Sequence, residues 1–215
     1  MATLPSQANL KEWTIQPGVR NSHNSLVWPL TVTPDSRASP KIQCGQDNSN
    51  SLRIPFGVSR FSETSKPCLD FSIGPWQQEL LDFWREVDDW VINHVWNNQK
   101  DFFRKPYATK DQLMDNYCPL VSQKDDHEPL LKTKLSKGCQ IFVIDKDGSK
   151  KGTEQDISPG SAGVCIVSPT SLWTMSGRFG LSAHTQALML WPKREKTMAE
   201  IFQMDSFNFP MEVCS

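Results

Sequence analysis

One segment of the chain has a helical repeat of hydrophobic residues. It reads PWQQELLDFWREVDDWVINHVWNNQKDFF and begins with Pro75, a residue type that suits the first position of a helix. The residues that recur at spacings of three and four are Leu80, Trp84, Val87, Val91 and Val95. Further aromatic residues widen this side: Trp76, Phe83, Trp90 and Trp96. The pattern predicts one long amphipathic helix whose apolar side packs against a sheet as part of the core.

The other hydrophobic positions predict a shorter helix and several strands. Thr109 and Gln112 have the spacing of a capping box, and Pro119 would end the helix that follows them. Strand-like segments before the helices are SLVWPLTV, KIQC, SLRIPFGVSRF and PCLDFSI, and those after them are LLKTKL, CQIFVID, AGVCIVS, SLWTM and RFGLSAHTQALMLW. This order of strands, helices and strands predicts a mainly β or α+β fold, including a small β-barrel with helical insertions.

Composition divides the chain into three parts. Residues 1–50 are rich in proline, serine and asparagine, and we interpret them as an irregular leader with one or two strands. Residues 51–198 contain both helices and the remaining strands, so they form the predicted folded domain. Residues 199–215 form a predicted tail with three acidic residues, no lysine or arginine, and the phenylalanines Phe202, Phe207 and Phe209.

The body of the chain and this tail carry net charges of opposite sign. The chain of 215 residues has a net charge of −1, and the tail contributes −3, so the remainder carries +2. Only 38% of the residues are hydrophobic, yet 8 tryptophans and 11 phenylalanines argue against global disorder. The N-terminal segment has no apolar stretch typical of a secretory signal, and no run has the length of a membrane span. We therefore expect an intracellular protein without membrane contact.

The usual signatures of metal sites and enzymes are missing from the sequence. Six cysteines are scattered without a C-x-x-C pair, and four histidines lie far apart, so we predict no metal site and no cofactor. The segment Asp145-Lys-Asp147-Gly148 has its glycine in the fourth position of a would-be calcium loop rather than the sixth, which favours a hairpin turn. No nucleophile elbow, Walker A motif or dinucleotide fingerprint occurs, and we expect a protein that is not an enzyme.

Basic and aromatic residues on strands and turns are the remaining candidates for a function. Single-stranded nucleic acid is held by cations that follow the phosphates and by aromatic rings that stack on bases. The residues that could act in this way are Lys132, Lys134, Lys150, Lys151, Trp173, Arg178 and Phe179. Two other interpretations stay open: the lysines solvate an exposed strand face, and Trp173 and Phe179 fill the interior of a barrel.

Several segments together resemble a known family. They are LRIPFGVSRF, NHVWNNQKDFFRKP, YCPLV, LLKTKL and LWTMSGRFGLSAHTQALML, in this order over residues 52–192. They resemble the single-stranded-DNA-binding proteins of large eukaryotic DNA viruses, which look distantly similar to the phage T7 single-stranded-DNA-binding protein. The resemblance implies an OB-like β-barrel with one long and one short inserted helix. It also implies that Lys132, Lys134, Arg178 and Phe179 face a DNA groove, and it predicts an aromatic residue where this chain has Ala183.

The resemblance implies a function and partners as well. The protein would bind single-stranded DNA in replication, recombination or repair, in the nucleus or at a cytoplasmic site of viral replication. The acidic tail would compete with DNA for the groove and recruit replication proteins, and a homo-oligomer is a further alternative. The rival hypothesis is a structural or accessory subunit of a larger assembly, with tryptophans buried in protein interfaces and the leader wrapped around a partner.

Overall fold

The computed structural model describes residues 2–21, 24–63, 65–145 and 148–191. Within these ranges the chain forms one sheet of thirteen strands and three α-helices. The strands are β1 (Thr14–Ile15), β2 (Val19–Arg20), β3 (Leu26–Thr31), β4 (Ile42–Cys44), β5 (Leu52–Ile54), β6 (Val58–Ser59), β7 (Cys68–Ser72), β8 (Tyr117–Cys118), β9 (Val121–Ser122), β10 (Leu130–Asp145), β11 (Gly148–Lys151), β12 (Ser161–Met175) and β13 (Arg178–Trp191). The helices are α1 (Gln78–Asn97), α2 (Gln99–Phe102) and α3 (Lys110–Asp115).

Five of the strands close into a barrel. Around the ring β5 pairs with β7, β7 with β10, β10 with β13, β13 with β12, and β12 with β5 again. The β10–β13 pair is parallel and the other four pairs are antiparallel. This is the arrangement of an OB-like barrel, in which β5, β7, β10, β12 and β13 are the first to fifth strands. The fold expected from the sequence is confirmed.

Two barrel strands are longer than the sequence pattern predicts. LLKTKL and CQIFVID are parts of one strand, β10, whose register with β13 shifts between Leu135 and Gln140. AGVCIVS and SLWTM likewise belong to β12, whose register with β13 shifts between Pro169 and Ser171. A strand can continue through a proline at such an irregularity, and the irregularity bends it. The prediction of separate strands is wrong for this reason.

The long helix packs as its hydrophobic repeat predicts. A short 3-10 turn at Pro75–Gln77 precedes α1, and all five residues of the stripe are buried, with Trp84 fully enclosed. Trp76 is the exception among the aromatic residues expected on this side, because 66% of its surface is exposed. The shorter helix α3 begins as predicted: Thr109 Oγ1 accepts a hydrogen bond of 3.3 Å from the Gln112 N–H.

The leader extends the sheet rather than remaining irregular. Strands β3 and β4 pair with β12, and β1 and β2 pair with β3. Leader residues also enter the core of the barrel and helix: Leu10, Trp13, Trp28, Leu30 and Ile42. The expectation of one or two leader strands was therefore too low, because four form. The predicted tail, residues 199–215, lies outside the described residues.

Asp88 joins the long helix to the segment beside β10. It is a buried residue of α1 that accepts hydrogen bonds from the Tyr117 hydroxyl at 2.5 Å, the Leu120 N–H at 3.1 Å and the Val121 N–H at 3.4 Å. Burial raises the pKa of Asp88 to about 6, although these three donors act in the opposite direction. The helix is thereby fixed to β8 and β9, which flank β13 and β10.

Asp88 should make the stability of the protein depend on pH. Its folded pKa lies above the unfolded value of 3.8, so the group favours folding most below that value, and this contribution is lost as the pH rises through about 6. From about pH 4 to pH 7, we expect Asp88→Asn to gain roughly 2 to 2.5 kcal/mol in free energy of unfolding relative to wild type. Urea unfolding across this range measures the difference, and parallel pH profiles would contradict the prediction.

Candidate nucleic-acid interface

Two of the lysines that the sequence predicts to contact DNA lie on the outer face of β7 and β10. Lys132 and Lys134 are exposed and alternate with the buried residues Leu131, Thr133 and Leu135, as expected for a strand with one face on the core. Lys132 lies opposite Asp70 on β7. Burial raises the pKa of Asp70, and the charge of Lys132 acts against that shift. With one carboxylate beside two lysines, the face is cationic.

The loop between β5 and β7 adds residues that the sequence analysis missed. Arg60 and Lys66 are exposed, and Phe61 is the most exposed large hydrophobic residue described, at 99%. An ion pair of 2.5 Å between Arg60 and Glu154 fastens this loop to the turn after β11. The segment LRIPFGVSRF contains Arg60 and Phe61, but no local pattern indicates that the phenylalanine points to solvent.

A groove lies between this loop and the barrel. Its volume is about 770 Å³, within the range of ligand-binding pockets. Lys66 and Lys137 line it from two sides, and Thr170, His184 and Gln186 of β12 and β13 form another part of its wall. The groove continues the lysine face, because Lys134 on β10 is paired with His184 on β13.

His184 is neutral in this setting. Burial lowers the pKa of His184 to about 4, with a smaller contribution from the positive charges of Lys66 and Lys134. Thr170 Oγ1 lies 3.0 Å from His184 Nδ1. The ring is therefore a polar, uncharged group near two lysines, in a groove whose lining also contains Arg60, Glu63 and Glu154.

The other two predicted lysines lie on a hairpin arm beyond this face. Strand β11 pairs with the end of β10, and Lys151 lies opposite Phe142, which is itself 39% exposed. Lys150 is exposed and forms an ion pair of 3.1 Å with Asp145. Exposed pairs of this kind are weak, so Lys150 can exchange its partner for a phosphate. The structure thus aligns all four predicted lysines along β10 and its partner β11.

The predicted residues near the β12–β13 turn form a second group, and one of them is corrected. Phe179 is fully buried, with ring-centre distances of 5.7 Å to Phe103 and 5.0 Å to Tyr117, so it offers no surface to a base. Trp173 is half-buried beside Gly180, where an added Cβ would lie 2.8 Å from the indole ring. Arg178 is exposed, six residues before His184 on β13 and about 20 Å away along the strand.

Ala183 also differs from what the resemblance implies. It is a buried residue of β13 at 3% exposure, on the side of the strand that faces the barrel interior. An aromatic residue at this position would enter the core and would not reach the groove. Its absence therefore removes no stacking surface from the lysine face.

Comparisons with known proteins give structural matches only. No protein-family model and no curated protein matches the sequence. The structural neighbours include phage single-stranded DNA-binding proteins. The protein from bacteriophage Enc34, solved in complex with ssDNA, has 8% identity and a TM-score of 0.45 over 85% of this chain and 97% of its own. The protein gp2.5 of bacteriophage T7 has 14% identity and a TM-score of 0.47 over 83% of this chain and 100% of its own.

Two further classes of site have no counterpart in the part of the chain that the structure describes. No three His, Cys, Asp or Glu side chains come together there as a metal ion would require. Among the described helices, none combines the length and the apolar character needed to cross a membrane.

Proposed function

We propose that the protein binds single-stranded DNA with little dependence on sequence, on the outer face of β7 and β10 and the adjoining loop. The main supporting observation is that the third strand of an OB-like barrel presents Lys132 and Lys134 on the face it shares with the second strand, beside a loop with the exposed Phe61. These strands and this loop are where OB folds hold oligonucleotides. Phosphate contacts would supply most of the affinity, and base stacking would add to it.

Titration of a labelled oligothymidylate of about 16 nucleotides tests this function. Fluorescence anisotropy should report binding at low salt. Because phosphate contacts release counterions, the affinity should fall by about 10- to 100-fold between roughly 50 and 200 mM salt. Duplex DNA of equal length should compete weakly, since its bases cannot stack on the loop. An absence of binding at the lower salt concentration would overturn the proposal.

Phe61 should act as a stacking residue. Because its side chain is 99% exposed, Phe61→Ala should leave the melting temperature nearly unchanged. Loss of one stacked base should weaken oligonucleotide binding by about tenfold, at the lower end of measured stacking energies. The matched control is Trp76→Ala, which removes another exposed aromatic ring. This ring lies near Leu4 and Asn50 of the N-terminal leader. Equal effects of the two changes would exclude a specific role for Phe61.

The cellular role is a further part of the proposal. The resemblance to proteins of large eukaryotic DNA viruses supports a role in DNA replication, recombination or repair, in the nucleus or at a cytoplasmic site of viral replication. Neither an enzymatic step nor a cofactor is needed for such a role, because binding alone protects and presents the strand.

The tail is proposed to compete with DNA and to recruit replication proteins. Its charge of −3, tethered to a body of +2, gives it a high effective concentration near the lysine face. Deletion of residues 199–215 should therefore tighten single-strand binding at low salt, with little change in melting temperature, and remove contacts with replication partners. Oligonucleotide titration measures the change in affinity, and thermal melting measures the change in stability. Weaker binding together with a lower melting temperature would instead make the tail part of the fold.

A further inference from the structure

The hydrogen bonds of Thr170 determine which nitrogen of His184 carries the proton. Thr170 Oγ1 lies 3.1 Å from the carbonyl oxygen of Ser182 and 3.0 Å from His184 Nδ1. A hydroxyl has one hydrogen and a carbonyl oxygen can only accept, so the hydroxyl donates to Ser182. It must then accept from His184, which places the proton of the neutral ring on Nδ1. The other nitrogen, Nε2, is an acceptor.

This acceptor lacks a donor. His184 Nε2 is buried and has no hydrogen-bond partner among the described residues, although the ring belongs to the wall of the 770 Å³ groove. Protonation does not resolve the deficit near neutral pH, because burial and the adjacent lysines keep the ring neutral. Buried polar groups without partners are rare in folded proteins, and each one calls for an explanation.

The surroundings of Nε2 define the chemistry of that ligand. Lys66 and Lys134 are close enough to act electrostatically on the ring, and both have ammonium groups that donate hydrogen bonds. Gln186 lies two residues further along the same face of β13 and lines the same groove. A complementary ligand therefore carries one N–H donor flanked by acceptors. The Watson–Crick edge of thymine has this pattern, with N3–H between two carbonyl oxygens.

We propose that a thymine base of the bound strand enters this groove and donates its N3–H to His184 Nε2. Lys66 and the amide of Gln186 line the groove and would donate to the flanking carbonyl oxygens. Lys132, Lys134 and Lys137 remain available for phosphates. This inference rests on the proposed function and adds to it a preference for thymine at one position of the site.

The test compares oligothymidylate with the same oligonucleotide methylated at N3 of every thymine. Methylation removes the donor and leaves the charge and the length of the strand unchanged. The full-length protein should bind the methylated strand about three- to tenfold more weakly in an anisotropy competition at fixed salt, as expected for one lost hydrogen bond. Equal affinity for the two strands would overturn the inference.

Two substitutions at His184 separate hydrogen bonding from steric exclusion. His184→Asn can keep a donor near the position of Nδ1 for Thr170, but it has no acceptor at the position of Nε2, so it should bind both strands equally. His184→Gln extends an amide oxygen towards the Nε2 position and should restore the difference. A methylation effect as large in His184→Asn as in the wild type would mean that the methyl group is excluded by shape, and would also overturn the inference.

The experiments distinguish a failure of the proposed function from a failure of the thymine site alone. If the wild-type protein does not bind unmodified oligothymidylate at low salt, the proposed function is wrong, and the thymine site is wrong with it. If it binds oligothymidylate with the expected salt dependence but ignores N3-methylation, only the thymine site is wrong. The comparison within the wild type decides this even if a substitution at His184 prevents folding.

Discussion

Trp84→Ala should lower the free energy of unfolding by about 3–5 kcal/mol, as large-to-small changes of buried aromatic residues do. The side chain is fully enclosed and its ring meets Phe83 edge to face at a ring-centre distance of 5.2 Å. Its indole nitrogen is buried without a hydrogen-bond partner among the described residues, so no lost hydrogen bond complicates the interpretation. Urea unfolding measures the change.

Trp76→Ala is the matched control for this substitution. It also replaces a tryptophan with alanine, but in the turn that precedes α1 and at a position that is 66% exposed. We expect it to change the free energy of unfolding by less than about 1 kcal/mol. If Trp84→Ala unfolded at the wild-type urea concentration and changed DNA affinity instead, α1 would belong to the binding site and not to the scaffold.

The double change Lys132→Glu and Lys134→Glu should weaken single-strand binding by about 100- to 1,000-fold at low salt, because two attractive contacts become repulsive. The salt dependence should become shallower by about 1.4 in the log–log slope, the value for two lost phosphate contacts on a single strand. The melting temperature should change little, since both side chains are exposed and exposed charges contribute little to stability. Anisotropy titrations over a salt series measure both quantities.

A control of equal charge distinguishes a local site from the field of the whole protein. Lys11→Glu with Lys41→Glu makes the same change in net charge in the leader, where both lysines are exposed. We expect this variant to lose less than about tenfold in affinity and to keep the wild-type salt slope, because neither lysine lies on β7 or β10 or lines the adjoining groove. A loss as large as that of the Lys132 and Lys134 variant would remove these lysines from the site.

The sequence predicts the elements whose pattern is local. The repeat in α1 is strong because the helix buries one continuous side, and the alternation around Lys132 is clear because β10 has a core on one face only. The continuity of β10 and β12 could not be predicted, since it depends on pairing with β13 across their irregularities. The four leader strands were underestimated for a similar reason: their partners are distant in sequence.

The sequence could not predict which aromatic residues of the candidate site are exposed. Phe179 and Phe61 both follow an arginine, yet Phe179 is enclosed by Phe103 and Tyr117, whereas Phe61 projects into solvent. The difference comes from tertiary packing of distant segments, which no local spacing encodes. Only exposed rings can stack on bases, so the loop replaces the β12–β13 turn as the main aromatic part of the candidate site.

The tryptophans bear on the rival hypothesis of a structural subunit. That hypothesis assumed that tryptophans are buried in interfaces with other proteins. Trp13, Trp28 and Trp84 are instead buried in the core of this chain, and Trp13 makes edge-to-face contacts with Phe83 and Trp90. Most of this aromatic content therefore stabilises the fold itself, which leaves the structural role without its main argument.

The closure of the barrel has a consequence for how the chain folds during synthesis. Ile54 of β5 pairs with Ser161 of β12, so about 100 residues must be made between the first barrel strand and the partner that completes the ring. Contacts of such long range slow folding, because the entropy of the intervening loop is lost before the contacts form. Until β12 and β13 leave the ribosome, β5 and β10 each lack one barrel partner and the apolar side of α1 lacks much of its core. The barrel should therefore close only after β13 has been translated, and the apolar surface exposed in this interval makes the nascent chain prone to aggregation.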